Sequence, residues 1–403
     1  MAARIATDKD YDQIRKIWTY CFNEGEEVEN CYFENKYRAE NTVVAELDGD
    51  VVASIHLNQH TIKLGNKEEN VSYVVGVSTL PEARGKGMMK SLMNLSFEEM
   101  YNRGQNVSIL MPIDFRLYRR FGFENCYDMI EHRINIEDLS AFRIERDFRK
   151  AKESDIDNLI DIYNKSNRRL NGYTVRGKQR YENMFKEVAA DGGHIYICSD
   201  CGVYDGYVIY AINAINEGKF FVREVYFSNT NALKSILAFI YNHNTQCDKV
   251  VIMEDVRNTI GNTLKNPKTS ESLLKPFMMG RVVNIDECFR NMADYLENNY
   301  NYSDKLGCFE ESVTIAIKDD YINQNTGNYR LSFEGNLYSC DKFEYDEEKS
   351  DIVLNINQIS QLIFGYKDID DVLDLYDKEI NEEKLDILRK VFVKKRNHIN
   401  EYD

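Results

Sequence analysis

Pro81-Glu82-Ala83-Arg84-Gly85-Lys86-Gly87-Met88-Met89 is the stretch on which the reading of this 403-residue chain turns. Upstream, the apolar run from Val71 to Thr79 reads as a strand that ends at Pro81; downstream, a helix pattern runs from about Lys86 to Arg103. A strand-to-helix junction presents free backbone N–H groups at the positive end of the helix dipole. Gly85 and Gly87 let the backbone approach an anion without a Cβ in the way, while Arg84, Lys86 and Lys90 add positive charge from the rim. The segment is a candidate pyrophosphate site, although a glycine-rich turn taken alone also simply starts a helix.

Working outward, Thr42 to Leu47 and Val51 to His60 flank Asp48-Gly49-Asp50, a hairpin signal. Asn106 to Met111 is a nearly continuous apolar run, the pattern of a strand covered on both faces. The order is helices, meander, helix, strand, helix, strand, which predicts a mixed α/β domain around one central sheet. Glu68 and Glu69 are expected in a loop before the third strand, and no histidine stands beside the turn.

The opening segment recurs. Ala6-x-Asp8-x-Asp10-x-Asp12-x-Ile14-x-x-Ile17-Trp18 lies over Ala151-x-Glu153-x-Asp155-x-Asp157-x-Leu159-x-x-Ile162-Tyr163 with charge and apolar face in step. Acidic caps before amphipathic helices are common, but two related domains in tandem is the plain reading. The second copy predicts strands near His194 to Ile197, Gly206 to Ala214 and Phe220 to Phe227, then a helix from about Ala232 to Tyr241. In place of the glycine turn it has Ser228-Asn229-Thr230-Asn231, so the second copy is expected to be structural. From about residue 290, alternation at Val313, Ile315 and Ile317, a turn at Asn325-Thr326-Gly327-Asn328 and closing helical segments predict a third, α+β domain. All 4 prolines precede it.

Composition limits the function. At 43% hydrophobic and 12% aromatic the chain is a packed globular protein, and no run approaches the ~20 apolar residues that span a bilayer. The N-terminus lacks the apolar core of a signal peptide, and the 9 cysteines are scattered, so a cytoplasmic location with reduced thiols is expected. Cys198-Ser199-Asp200-Cys201 has no second pair or nearby histidine to complete a zinc set, and no metal is expected. A formal charge of -16 argues against nucleic acid, whose phosphates call for a basic face.

Leu117-Tyr118-Arg119-Arg120-Phe121-Gly122-Phe123 then follows the next strand. Together with the Arg84-Gly85-x-Gly87 turn it resembles the GNAT superfamily of N-acetyltransferases; Glu82 departs from the Gln or Arg common there. The whole chain resembles the Eis-like (enhanced intracellular survival) three-domain acetyltransferases. The segments that carry this are Val77-Ser78-Thr79-Leu80-Pro81, Phe221-Val222-Arg223-Glu224-Val225-Tyr226, Met278-Met279-Gly280-Arg281-Val282-Val283 and Ile356 to Gly365. The resemblance implies an α+β (mixed α/β) architecture: a catalytic GNAT domain over 1–142, a degenerate GNAT domain over 143–289, and a sterol-carrier-protein-like domain over 290–403.

It also implies a site. Val77, Ser78 and Thr79 pair with the pantetheine arm of acetyl-CoA; Arg84, Gly85, Lys86, Gly87, Met88, Met89 and Lys90 surround its pyrophosphate; Ile113 and Asp114 flank it. Tyr118 is the general acid on the departing thiolate. The terminal carboxylate, here on Asp403, is the base, although the chain departs from the usual terminal aromatic by ending Tyr402-Asp403. The acceptor is a primary amine, either an aminoglycoside-like polyamine or a lysine. Glu24, Glu26, Glu27 and Glu29 would attract such cations if their loop lines the cleft. The resemblance suggests a homo-oligomer. The competing readings are a non-catalytic acyl-CoA-binding regulatory protein and a lipid carrier acting through the third domain.

Overall fold

The chain opens with strand β1 (Ala3–Ile5), helices α1 (Tyr11–Phe22) and α2 (Glu26–Asn35), and three strands, β2 (Thr42–Leu47), β3 (Asp50–Leu64) and β4 (Lys67–Thr79). Asp48 and Gly49, both at positive φ, form the two-residue turn between β2 and β3, and Leu47 faces Asp50 across it. The β3–β4 hairpin stays paired out to Leu64 and Lys67, so Glu68 and Glu69 lie within a strand and not in the expected loop. Helix α3 (Met88–Asn102), strand β5 (Val107–Leu110), helix α4 (Phe115–Arg119) and strand β6 (Glu124–Asn135) follow.

The second run comprises β7 (Asp147–Lys150), α5 (Ile156–Asn167), β8 (Tyr173–Thr174), α6 (Lys178–Ala190), β9 (His194–Asp200), β10 (Val203–Ile212), β11 (Lys219–Phe227), α7 (Thr230–Tyr241), β12 (Lys249–Glu254), α8 (Thr259–Thr263) and β13 (Glu271–Val282). The last part is α9 (Ile285–Asn291), α10 (Ala293–Asn299), β14 (Glu310–Lys318), β15 (Gly327–Glu334), β16 (Leu337–Phe343), β17 (Ile352–Asn355), α11 (Ile356–Phe364), α12 (Ile369–Leu373) and α13 (Glu382–Val391). This computed structural model describes residues 3–212, 219–299, 310–335, 337–376 and 379–402. Asn213 and Ala214, expected to end a strand, lie outside the described residues.

Two compact units form: Met1–Asn23 with Tyr37–Tyr127 and Phe277–Asn397, and Glu24–Lys36 with Asp128–Pro276 and His398–Asp403. The first holds a mixed sheet in the order β1-β2-β3-β4-β5-β13, with β4 and β5 parallel and their neighbours antiparallel. It also holds the separate four-stranded sheet β16-β15-β14-β17. The second holds β6-β12-β11-β10-β9-β7, with β11 and β12 as its parallel pair. Each unit has a mixed sheet with helices against it, as the tandem repeat requires, and the first has the four-stranded sheet besides.

The repeat extends to its electrostatics. Arg4 grips Asp10 with two bonds of 2.8 Å, and Asp10 also accepts from the Thr7 N–H. Arg149 grips Asp155 with two bonds of 2.6 Å, and Asp155 accepts from the Lys152 N–H. In both units the acidic residue closes a short 3-10 turn before the first long helix. The Arg4 guanidinium holds the Asp10 carboxyl well below the usual carboxylate range, and Arg149 lowers Asp155 in the same way.

One buried cation organises the first unit. Arg281, wholly buried on β13, donates to both carboxylate oxygens of Asp319 (2.8 and 2.9 Å) and to the Phe121 carbonyl (2.7 Å). Its guanidinium lies 4.1 Å from the Phe97 ring centre. Asp319 also accepts from the Tyr321 N–H and the Asn325 amide. Asp319→Asn leaves the guanidinium buried without its counter-charge. The expected outcome is a loss of about 3–5 kcal/mol, read as a shift of the denaturant midpoint at unchanged slope.

Candidate active site

The site is built where β4 and β5 part company. Their parallel pairing covers only Ser72–Val74 against Ser108–Leu110, while β4 runs on to Thr79. Beyond Val74, the edge of β4 that faces away from β3 has no partner strand among the described residues. The cause is a bulge: Ser54 faces Ser78 and His56 faces Val75, so Gly76 and Val77 together oppose Ile55. Gly76 sits at φ +60°, and a Cβ there would stand 2.3 Å from the Trp18 ring. Only glycine fits both the left-handed backbone and the indole packed on it. An isolated glycine inside an apolar strand is itself a bulge signal, one the sequence reading passed over.

Past the bulge, Leu80 donates to the Val52 carbonyl and a short 3-10 turn over Pro81–Ala83 leads to the glycine turn. Gly85 and Gly87 have φ +75° and +80°, with nothing within 4 Å of where a Cβ would be. Gly87 caps α3 in the left-handed conformation, without a side-chain cap and with no acidic residue in the first turn. The leading N–H groups of α3 therefore lack intrahelical partners, and Lys86 and Lys90 are exposed around them. Arg84, by contrast, folds back to donate to the Thr79 carbonyl at 3.1 Å. This is a cradle with room for a pyrophosphate.

Tyr118 belongs to the same core as Val74, Ala83, Met88 and Leu110, with Val77 and Met89 packed against it. Its position is held from both sides of the loop that follows. Asn357 of α11 donates to the carbonyls of Arg119 and Phe123, and Arg281 donates to that of Phe121. Gly122, at φ +86°, lets the chain pass Ile356 and Arg281, each within 3.0 Å of a would-be Cβ. Burial pushes the Tyr118 hydroxyl up to about 12, so it stays protonated at neutral pH.

Other expected positions take varied roles. Ser78 is buried, pairs with Ser54 in the β3–β4 ladder and shares a 3.0 Å hydrogen bond with the Ser54 hydroxyl. Met88 is core, whereas Met89 is half-buried and its sulfur lies 3.3 Å from Arg120. Ile113 projects with 85% exposure. Asp114 caps α4 by accepting from the Arg116 N–H and pairs with the Arg116 guanidinium. Glu26, Glu27 and Glu29 occupy the first turn of α2, not a loop; there they complement the helix dipole, and Glu29 is buried. Asp403 lies outside the described residues. Cys198 is buried and Cys201 sits exposed at φ +48°, both as free thiols.

The second unit shows what the equivalent turn becomes without glycine. Asn229 caps α7 by accepting from the Ala232 N–H at 2.9 Å, and its amide donates to Asp205 at 2.8 Å. A side chain thus occupies the helix N-terminus that the first unit leaves open.

Comparison with known proteins matches an acetyltransferase (GNAT) domain to residues 2–126, a second acetyltransferase (GNAT) domain to 172–282, and a sterol carrier protein domain to 295–400. No curated protein matches the chain. Among solved structures, a probable N-acyltransferase from Enterococcus faecalis superposes with a TM-score of 0.83 at 17% identity, over 100% of this chain and 99% of that one. A GCN5-related N-acetyltransferase from Anabaena variabilis gives 0.83 at 19%, with coverage of 100% and 99%. Eis1 from Mycobacterium abscessus gives 0.75 at 13%, with 100% of both chains covered. At these identities the superpositions establish the fold.

Gly76→Ala is expected to flatten the bulge against Trp18 and weaken CoA binding strongly, by calorimetric titration. Gly85→Ala meets no neighbour; its cost is the left-handed backbone alone, about 1–2 kcal/mol of folding stability, read as a lower denaturant midpoint.

Proposed function

Because this chain is an acyltransferase with two GNAT domains and a sterol carrier protein domain, the three-domain Eis-like arrangement, we propose that it moves acetyl from acetyl-CoA directly to a primary amine. The observation that carries this reading is the uncapped Gly85–Gly87 turn at the end of a splayed β4, with Tyr118 in the same core. Val77, Ser78 and Thr79 offer backbone to the pantetheine arm. Gly85 to Lys90 take the pyrophosphate, with Lys86 and Lys90 supplying charge, and Ile113 and Asp114 stand beside the cofactor. The acceptor is a polyamine of aminoglycoside type or a lysine. The domain limits proposed are 1–142, 143–289 and 290–403, in a cytoplasmic homo-oligomer.

In the reaction the amine nitrogen attacks the thioester carbonyl and a C–N bond forms. The amine proton passes to the α-carboxylate of Asp403. As the tetrahedral intermediate collapses, the C–S bond breaks and the Tyr118 hydroxyl protonates the thiolate. The products are the N-acetyl amine and free CoA, with the proton taken by Asp403 restoring Tyr118 through solvent. No covalent enzyme intermediate is needed.

The test is thiol release from acetyl-CoA against aminoglycosides, polyamines and lysine peptides. Tyr118→Phe is expected to lower kcat by about a hundredfold or more, with the KM for acetyl-CoA little changed. CoA binding without turnover on any amine would favour the acyl-CoA-binding regulator, and binding of fatty ligands alone would favour lipid carriage. Since Tyr118 titrates near 12, its deprotonation contributes no fall in kcat between about pH 7 and 9; a pH–rate profile of the wild type beside Tyr118→Phe checks this.

A further inference from the structure

The second unit has the same opening in its sheet as the first. β11 and β12 pair in parallel only over Lys219–Val222 and Lys249–Ile252, while β11 continues to Phe227. In the first unit the corresponding gap is where the cofactor arm is proposed to lie. In the second unit the gap is filled by the chain itself. The Asn400 amide donates to the carbonyl of Arg223, the first residue past the paired stretch, at 2.9 Å. The His398 ring faces the Tyr226 hydroxyl at 3.0 Å, and the His398 N–H donates to the Asn171 carbonyl. Next to these contacts remains a cavity of about 10 Å³ lined by Ser166, Tyr226, Asp255, Arg257, His398 and Asn400, room for about one water.

The next residue is locked harder still. Glu401 accepts from Arg176 Nε at 2.6 Å and from Arg180 Nε at 2.9 Å. Arg176 also grips both oxygens of Glu224 (2.9 and 2.8 Å) and donates to the Asn400 carbonyl (2.7 Å). The side chains of Arg176, Glu224 and Glu401 are all fully buried. Arg176 further lies 4.3 Å from the Tyr163 ring centre. Then Lys36 donates to the Tyr402 carbonyl, and the Arg223 guanidinium stacks 4.7 Å from the Tyr402 ring centre. Three successive residues before Asp403 are thus each held, with Arg176 shared by Asn400 and Glu401 and Arg223 by Asn400 and Tyr402. A frayed surface tail has no use for a buried charge network.

We propose that the second GNAT-type cleft is a receptor for the chain's own segment His398–Tyr402, that Glu401 is the positioning residue that aims the Asp403 carboxylate, and that this cleft takes no CoA. The inference rests on the reading in which that carboxylate serves as base. It gives the second domain a task for which loss of the glycine turn is no handicap.

The full-length Glu401→Gln variant tests it, since Gln keeps the size and removes the charge that two arginines grip. The expected result is a kcat lower by about tenfold or more with the KM for acetyl-CoA within about twofold of wild type. Carboxypeptidase is expected to release Asp403 and Tyr402 about tenfold faster. Asn400→Ala, which removes only the bond to Arg223, provides a milder second variant with both changes in the same direction should Glu401→Gln fold poorly. Calorimetric titration of the wild type with CoA is expected to show a single molecule bound per chain. Unchanged kcat and unchanged carboxypeptidase resistance in Glu401→Gln would overturn the proposal, as would two CoA per wild-type chain. The release rates need no turnover, so faster release in a protein that acetylates no amine leaves the anchor standing and removes the acetyltransferase reading instead.

Discussion

Arg281 and Asp319 hold the first unit to its working shape. A guanidinium taken wholly out of water needs a counter-charge and a full set of acceptors, and this one finds them on three separate stretches of chain: a carboxylate at 319, a carbonyl at 121 and another at 282. The Phe121 carbonyl belongs to the turn that follows Tyr118. The tyrosine's placement is therefore tied to a loop some two hundred residues further along the chain, and the sterol-carrier-type part contributes to the geometry of the site through Asp319 and through Asn357, independently of any lipid.

Around this clamp the two GNAT-type sheets solve one problem twice. Each must open a parallel pair of strands so that something can reach the backbone of the longer strand. In the first unit a glycine bulge under Trp18 and an uncapped helix leave the opening accessible. In the second, Asn229 caps the helix and the chain occupies the opening. The paired arginine–aspartate locks at Arg4–Asp10 and Arg149–Asp155 show how closely the scaffolds still correspond where no such divergence has occurred.

What could be read from sequence was what has a local signature. The Asp48-Gly49 hairpin, the glycine turn, the tandem opening helices and the alternating strand after residue 310 all announce themselves within a dozen residues, and all are present. The partners that make those elements stable are far away in sequence and leave no such mark. Asp10 and Asp155 do close the capping turns before the first long helices, but the arginines that also grip them lie six residues upstream, outside any capping pattern. Glu68 and Glu69 looked like loop because charge outweighed the hairpin's length, and the glutamates after Gly25 looked like a cation trap when they begin a helix. Of the site, the turn and Tyr118 were legible; Gly76, Trp18 and Glu401 required the fold.

Seating the chain's own segment in the second opening changes what that opening must supply. A diffusible ligand at low concentration has to be held by its own contacts, of the kind that the exposed Lys86 and Lys90 around the open N-terminus of α3 would supply. A covalently attached segment arrives at an effective concentration in the millimolar range or above. The buried grip of Arg176 and Arg180 on Glu401, with the bonds at Arg223 and Tyr226, then holds a segment that never leaves, and no phosphate-binding turn is needed for occupancy. A tethered occupant makes a glycine turn dispensable, whereas an occupant exchanged with solvent does not.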